Sequence, residues 1–193
     1  FFASNEVEQT AQAILNYIWR QFMTEEQIRN SVTASPASFT NFDLAPEGFV
    51  YTVTQSTENV SGVRLLNFKG SNIELGADYG DLEWDRKVRD TVSTTFVDID
   101  MDEEEYLFLL DSARGRVFVY TKDGSLISVF GGKGDAVGTF TSTQAIETYG
   151  GKAYVLDNIQ GSVTTFAPTD YINTVRTAYN LHEEGDYLGA QQY

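Results

Sequence analysis

Carboxylates are the side chains in this sequence that could do chemistry, and the densest group of them lies between residues 98 and 105. Asp98, Asp100 and Asp102 alternate along the chain and are followed at once by three glutamates. Alternating carboxylates can converge on a hard cation such as calcium. The EF-hand spacing fails, however, because Glu103 stands in the glycine position and Leu109 in that of the bidentate glutamate. We therefore interpret the run as a solvated hairpin turn and predict no metal ligand in it.

Two further aspartates, Asp111 and Asp157, each end an apolar segment and are followed by Ser112 and Asn158. A carboxylate in that position could point into a central channel and serve a metal or a reaction. It could equally accept hydrogen bonds from its own turn, as aspartates in Asx turns do. We favour the turn, and keep both residues as candidate contacts to a ligand or partner.

Aromatic residues accompany acids in a second region, where Tyr79 and Trp84 lie near Asp81, Glu83 and Asp85. Aromatic faces flanked by carboxylates suit sugar rings and other amphipathic surfaces. The alternative is that these rings only pack the fold, which we favour. Tyr79 and Trp84 remain candidate ligand or partner contacts, with carbohydrate as one such ligand.

Other catalytic signatures are missing from the sequence. There is no cysteine and one histidine, His182, which stands near the end of a predicted helix, where a cation would complement the helix dipole. Gly132-Lys133-Gly134 with Gly138 differs from a dinucleotide fingerprint, because the third glycine comes one residue late and nothing helical follows. We predict no catalytic residue, no cofactor and no metal.

The charge balance restricts the possible partners. Lys and Arg number 13 against 28 Asp and Glu, a formal net charge of −15, which repels phosphate backbones and anionic lipid. The longest apolar runs, such as Tyr106 to Leu110, are too short to cross a bilayer. We therefore expect neither nucleic acid binding nor membrane insertion of this segment.

Periodicity divides the chain into three parts. Residues 1–35 have helical spacing with two capping patterns and predict a helical pair, inserted between blades. Residues 36–168 change to short strands rich in Val, Tyr, Phe and Thr, broken by Gly and Asp turns. Residues 169–193 return to a helical pattern, with Thr169 or Asp170 as the N-cap.

Internal repeats are the strongest signal in the middle part. Three segments share a strand, turn, strand layout, and the spacing from Asp111 to Asp157 lies inside the rough period of 40 to 50 residues of propeller blades. Each is followed by a third strand, and the second also by a fourth. The sequence predicts a mainly β chain with about three four-stranded antiparallel blades, an incomplete β-propeller.

The middle part resembles the NHL-repeat family over about residues 38 to 167. The resemblance depends on motifs that follow one another in the family's order: Val97-Asp98, Leu110-Asp111-Ser112, Arg116 to Tyr120, Lys122-Asp123-Gly124, and Phe130 to Gly134 with Gly138-Thr139-Phe140. The other two blades depart from the pattern, since Ser162 replaces the turn arginine in the last and Thr54 replaces the aspartate in the first. Glycines in the link between blades would supply turns with positive φ.

The end of the chain resembles the start of a tetratricopeptide-type repeat, with Ala178-Tyr179, Leu181, Gly185-Asp186-Tyr187 and Ala190 in matching positions. The whole order of elements resembles the extracytoplasmic NHL regions of bacterial membrane-associated proteins. That resemblance implies an extracytoplasmic, membrane-associated full-length protein. It also implies that the chain is a fragment of a longer one.

These features favour a binding or scaffolding module that is not an enzyme, because propellers and helical repeats present large surfaces to proteins. The alternative is a metal-dependent hydrolase or lyase that resembles propeller lactonases. Three blades leave exposed edge strands, which proteins usually cover. We therefore expect a protein partner or another copy of the chain to complete them.

Overall fold

The segments rich in β-branched and aromatic residues form strands, as their propensity predicts. A computed structural model describes residues 39–54, 62–67, 69–70, 72–73, 79–81 and 94–193, all within one structural unit, Ser38–Tyr193. The strands in these ranges are β1 Phe39–Leu44, β2 Val50–Thr54, β3 Val63–Leu66, β4 Asn72–Ile73, β5 Phe96–Met101, β6 Leu107–Asp111, β7 Arg116–Tyr120, β8 Leu126–Gly131, β9 Thr143–Tyr149, β10 Lys152–Asp157 and β11 Ser162–Phe166.

The strands form three antiparallel sheets in which neighbours in space are neighbours in sequence. The first sheet contains β1 to β4, the second β5 to β8 and the third β9 to β11. This confirms the predicted mainly β, propeller-like fold, in which each meander corresponds to a blade. The third sheet differs from the prediction, because in the described residues it has three strands instead of four, with β9 and β11 at its edges.

Two apolar layers hold the sheets together. Val53, Ile99 and Leu109 belong to the layer shared by the first and second sheets, whereas Leu110 and Val155 belong to the layer shared by the second and third. Successive residues of a strand face opposite sides, so the adjacent Leu109 and Leu110 serve different layers. The second sheet is therefore covered on both faces, and its strand β6 is buried at every position.

The connection from the second to the third sheet is the glycine-rich link at residues 131–140. Its last residue, Phe140, is fully buried, and its backbone N–H donates to the Gly132 carbonyl at 2.8 Å. The Gly134 N–H donates to the Phe140 carbonyl at 3.1 Å. A strand follows the link, as expected for a connection between blades and unlike the helix that a dinucleotide-binding loop precedes.

Replacing Gly131 with alanine is expected to lower the free energy of unfolding by about 2 kcal/mol. Gly131 has a φ of +82°, and a Cβ there would lie 2.8 Å from the backbone carbonyl oxygen of Gly115. The matched control is Gly132→Ala, since a Cβ at Gly132 meets nothing within 4 Å. Urea unfolding of both variants measures the difference, and equal losses would contradict a conformational requirement at Gly131.

Two helices follow the third sheet, α1 Asp170–Glu183 and α2 Tyr187–Ala190. Thr169 caps α1 as predicted, with its side chain accepting from the Ile172 N–H, and His182 lies in the last turn. No helix within the described ranges is long and apolar enough to cross a membrane. The tetratricopeptide resemblance stays a prediction, and the helical pair at 1–35 lies outside the described residues.

Candidate functional site

The first strands of the three sheets, β1, β5 and β9, lie next to one another in that order and line a cavity of about 470 Å³. Residues from β10 and β11 complete its wall. The polar lining consists of Asn41, Asp43, Asp98, Asp100, Glu147 and Tyr154. The cavity is therefore acidic, and it opens where the three sheets converge.

One carboxylate occupies the same register position on each first strand: Asp43 on β1, Asp100 on β5 and Glu147 on β9, each opposite an aromatic residue of the following strand. Asp43 accepts from the Met101 N–H at 2.7 Å, and Asp100 accepts from the Thr148 N–H at 2.6 Å. These bonds connect β1 to β5 and β5 to β9. Glu147, on β9, accepts no hydrogen bond from the described residues.

Asp98, two residues before Asp100, is buried, and both of its carboxylate oxygens accept hydrogen bonds within the fold. It is 3% exposed and accepts from the backbone N–H groups of Ile146 at 2.7 Å and Ile99 at 2.9 Å. The Asn41 side-chain amide donates to it as well. Burial raises the pKa of Asp98, although these three donors oppose the shift.

Only one of the two carboxylate oxygens of Asp100 accepts hydrogen bonds from the described residues. Both the backbone N–H and the hydroxyl of Thr148 donate to Oδ2, and Oδ1 accepts no hydrogen bond from the described residues. Burial raises the pKa of Asp100 to about 6, against the Thr148 hydrogen bonds that lower it, and repulsion from Asp43 and Glu147 raises it further. The carboxyl group therefore changes its charge close to neutral pH.

The apolar wall of the cavity continues into the free face of the third sheet. Leu156 and Val163 pair across β10 and β11 on this face and are 37% and 60% exposed. The residues equivalent to Leu156 are Val53 in the first sheet and Leu110 in the second. Val53 is fully buried against the second sheet, and Leu110 is fully buried against the third. The third sheet thus presents a packing face that no described element covers.

The aromatic candidates lie elsewhere. Tyr79 packs against the layer between the first and second sheets, with its ring 4.8 Å from that of Tyr120 in an edge-on arrangement. Burial raises the pKa of Tyr79 above its usual value. Trp84 lies outside the described residues, so its predicted contact stays a prediction.

Asp111 and Asp157 occupy equivalent ends of β6 and β10, and neither is exposed. Asp157 accepts from the backbone N–H groups of residues 141, 142, 159 and 160. Asp111 accepts from the N–H groups of Thr95 and Ala113 and from the Arg116 guanidinium. Both aspartates therefore accept hydrogen bonds from their own turns, which was the alternative we favoured from the sequence. Neither carboxylate lines the cavity.

The acidic run also differs from the solvated turn we expected, because Asp98 and Asp100 belong to β5. Asp102, which follows the strand, pairs through Oδ2 with Nη1 of Arg176 at 3.0 Å. Arg176 lies on α1 and stacks over the Tyr106 ring at 4.2 Å. Sequence reasoning missed Arg176, whose only signal was a single cation among apolar positions of the predicted helix.

Within the described part of the chain, no group of three or more His, Cys, Asp or Glu residues could hold a metal ion. The four acids of the cavity are therefore a charged surface, and three of them, Asp43, Asp98 and Asp100, accept hydrogen bonds from backbone N–H groups. They can attract a positively charged group and accept hydrogen bonds from it.

Comparison with known proteins gives matches among solved structures. No family model and no curated protein matches the chain. Selenomethionine-substituted virginiamycin B lyase from Staphylococcus aureus is 13% identical with a TM-score of 0.43, over 71% of this chain and 44% of the lyase chain. A catalytically inactive form of that lyase with quinupristin is 14% identical with a TM-score of 0.42, over 70% and 44%. The chain thus spans less than half of the lyase, and the likeness concerns the fold alone.

The prediction that the chain is not an enzyme is contradicted by these matches, since both structures are of a lyase. It was inferred from the missing cysteine, the single histidine and the lack of a phosphate loop. The absence of those residue types does not exclude catalysis. The lyase activity itself belongs to the matched proteins.

Proposed function

We propose that the described part of the chain is a protein-binding module, and that its binding surface is the free face of the third sheet together with the adjoining cavity. This face is defined by Tyr154, Leu156, Val163 and Thr165. The observation that carries the proposal is the exposure of Leu156 and Val163 at positions where the other sheets are packed. Covering such apolar area contributes roughly 25 cal/mol per Å².

Charge decides between the two kinds of partner expected from the sequence. The chain has a formal net charge of −15, and the cavity beside the face contains four carboxylates. Two copies of such a chain repel each other, whereas a basic protein is attracted. A different protein with positive charge is therefore favoured over a second copy.

The resemblance to NHL and tetratricopeptide repeats supports a module of this kind, because both architectures present extended surfaces to protein partners. The opposite face of the third sheet packs against the second sheet through Ile146, Ala153 and Val155. The free face of the third sheet is then preorganised, which lowers the entropic cost of binding.

The proposal is tested by photo-cross-linking in the cells that produce the full-length protein. A photoreactive residue at Val163 is expected to capture one partner, whereas the same residue at Val129 is expected to capture none. Val129 is a matched control because it is also an exposed valine on a strand, but lies on β8. The captured protein is then purified and its binding reconstituted. Equal cross-linking from both positions, or cross-linking only to a second copy, would contradict the proposal.

A further inference from the structure

We infer that β11 binds an extended segment of the protein partner, which adds to the third sheet as an antiparallel fourth strand. This inference rests on the proposed function, since it names the way in which the partner attaches to the same sheet. Three observations support it: the fourth strand of the other two sheets, the open backbone edge of β11, and the exposed side chain of Val163 beside that edge.

The first observation is the strand that the third sheet lacks. β3 pairs with β4 and β7 pairs with β8, whereas β11 pairs only with β10 among the described strands. Three residues, one of them Pro168, separate β11 from α1, so the chain that follows β11 does not return along it. Within the described ranges, the fourth-strand position beside β11 is therefore open to a segment of another protein.

The two edges of the third sheet differ in their hydrogen bonds. At β9, the backbone N–H groups of residues 146, 148 and 150 donate to the carboxylates of residues 98, 100 and 103, which take the place of a neighbouring strand. At β11, no hydrogen bond from a described residue outside β10 reaches the strand backbone. Unpaired groups on an edge strand are a template for another strand, so β11 is the edge that an added strand meets.

The backbone groups at the open edge belong to Val163 and Thr165. Along a strand, the N–H and C=O groups of successive residues point alternately to the two neighbouring strands. Because residues 146 and 148 of β9 donate away from β10, alternation assigns the bonds between β10 and β11 to Thr164 and Phe166. Val163 and Thr165 therefore direct their N–H and C=O groups outward, where a fourth strand can bond to them.

The second sheet indicates which side chain suits the position opposite Val163. There, Leu110, Val117 and Phe130 form a row across three strands, and the first two are fully buried. In the third sheet Leu156 and Val163 occupy the first two positions, but Val163 is 60% exposed. Residues directly opposite each other share a face, so an aromatic or aliphatic residue of the added strand would cover Val163. The partner segment is therefore apolar at this position.

Charge adds a requirement outside the paired residues. The chain has a formal net charge of −15, and Glu147 is exposed on the free face, in the row of Tyr154 and Thr165. Lysine or arginine beside the paired residues would be attracted to this surface, whereas a second copy of the chain would be repelled. We therefore expect an extended apolar segment with basic flanks.

The experiment measures amide hydrogen exchange of the full chain by NMR, with and without a probe peptide. The peptide has the sequence of β8, residues 126–131, between two lysines, because β8 is the fourth strand of the second sheet. At millimolar peptide, the amides of Val163 and Thr165 are expected to exchange about tenfold more slowly. Unchanged exchange at both amides, or slowing confined to β8, overturns the inference.

Two N-methylated peptides test the backbone bonds. Methylation at the position of Phe130 removes the N–H that donates to β11 and is expected to weaken binding about tenfold. Methylation at the position of Val129, whose N–H points away from β11, is the matched control and should leave the affinity within about a factor of two. Equal affinities of the two methylated peptides overturn the inference.

A variant of the protein tests the same bonds from the other side. Thr165→Pro removes an outward N–H at an edge position, where proline is tolerated, and is expected to weaken peptide binding about tenfold. Thr165→Val keeps the N–H and should bind as the wild type does. Wild-type affinity in Thr165→Pro overturns the inference, and where that variant does not fold the methylated peptides decide.

Failure of this inference is distinguishable from failure of the proposed function. If the peptide does not slow exchange at Val163 and Thr165, while the reconstituted partner binds through Leu156, strand addition is wrong and the binding face stands. If the peptide binds as expected, and the partner is lost in Thr165→Pro but unaffected by Leu156→Ser, the added strand stands and the proposed face is wrong.

Discussion

Replacing Asp111 with alanine is expected to lower the free energy of unfolding by about 4 kcal/mol. The carboxylate is fully buried at the end of β6, and the backbone N–H groups of Thr95 and Ala113 donate to it at 3.0 Å. Arg116 pairs with it at 2.9 Å. Alanine would leave two donors unsatisfied and remove one of the two carboxylates that hold the guanidinium, the other being Asp81.

Urea unfolding compares this variant with Asp111→Asn and Asp135→Ala. Asparagine keeps an acceptor for the two N–H groups and should recover about half of the loss. Asp135 is exposed in the glycine-rich link, and its replacement should change stability by less than about 0.5 kcal/mol. A loss in Asp111→Ala no larger than in Asp135→Ala would show that the buried hydrogen bonds contribute nothing.

Replacing Arg176 with methionine is expected to cost about 3 kcal/mol and to loosen α1 from the second sheet. The Asp102 side chain, which is 3% exposed, would lose its charged partner, although its Oδ1 still accepts from the N–H groups of Glu104 and Tyr106. Methionine keeps an apolar stem against the Tyr106 ring, so the loss reports mainly on the charge.

Hydrogen exchange along α1 and urea unfolding measure the effect. The control is Lys122→Met, which breaks an ion pair with Glu105 whose side chains are 50% and 31% exposed. Such a surface pair contributes at most about 1 kcal/mol. Equal losses of stability in both variants, with amide hydrogen exchange along α1 no faster in Arg176→Met than in the wild type, would contradict a role for the Arg176–Asp102 pair in holding the helix.

Local patterns in the sequence were enough to predict the strands, the glycine-rich link and the Thr169 cap. Each depends on residues close together in the chain, such as the apolar run Leu107 to Leu110 that forms β6, or the hydroxyl of Thr169 three residues before the Ile172 N–H. The mainly β, propeller-like fold followed from the repetition of these patterns. Spacing of the repeats also predicted the equivalence of Asp111 and Asp157.

The cavity could not be predicted in the same way, because its contacts join distant residues. Asp98 accepts from Ile146, 48 residues later, and Asp43 accepts from Met101, 58 residues later. The alternating carboxylates Asp98 and Asp100 are visible in the sequence, but nothing in the local pattern says which backbone group donates to each of them. The ion pair of Arg176 with Asp102 was missed for the same reason, since the two residues lie far apart in the sequence.

The most direct test of the proposed binding face is the affinity of the cross-linked and purified partner for two single variants, Leu156→Ser and Ile159→Ser. Both residues are exposed and aliphatic, but Leu156 lies on the free face of the third sheet and Ile159 in the turn between β10 and β11. We predict that Leu156→Ser weakens binding about tenfold and that Ile159→Ser leaves it within a factor of two. Unchanged binding in Leu156→Ser, or an equal loss in both, would contradict the assignment of this face as the binding surface.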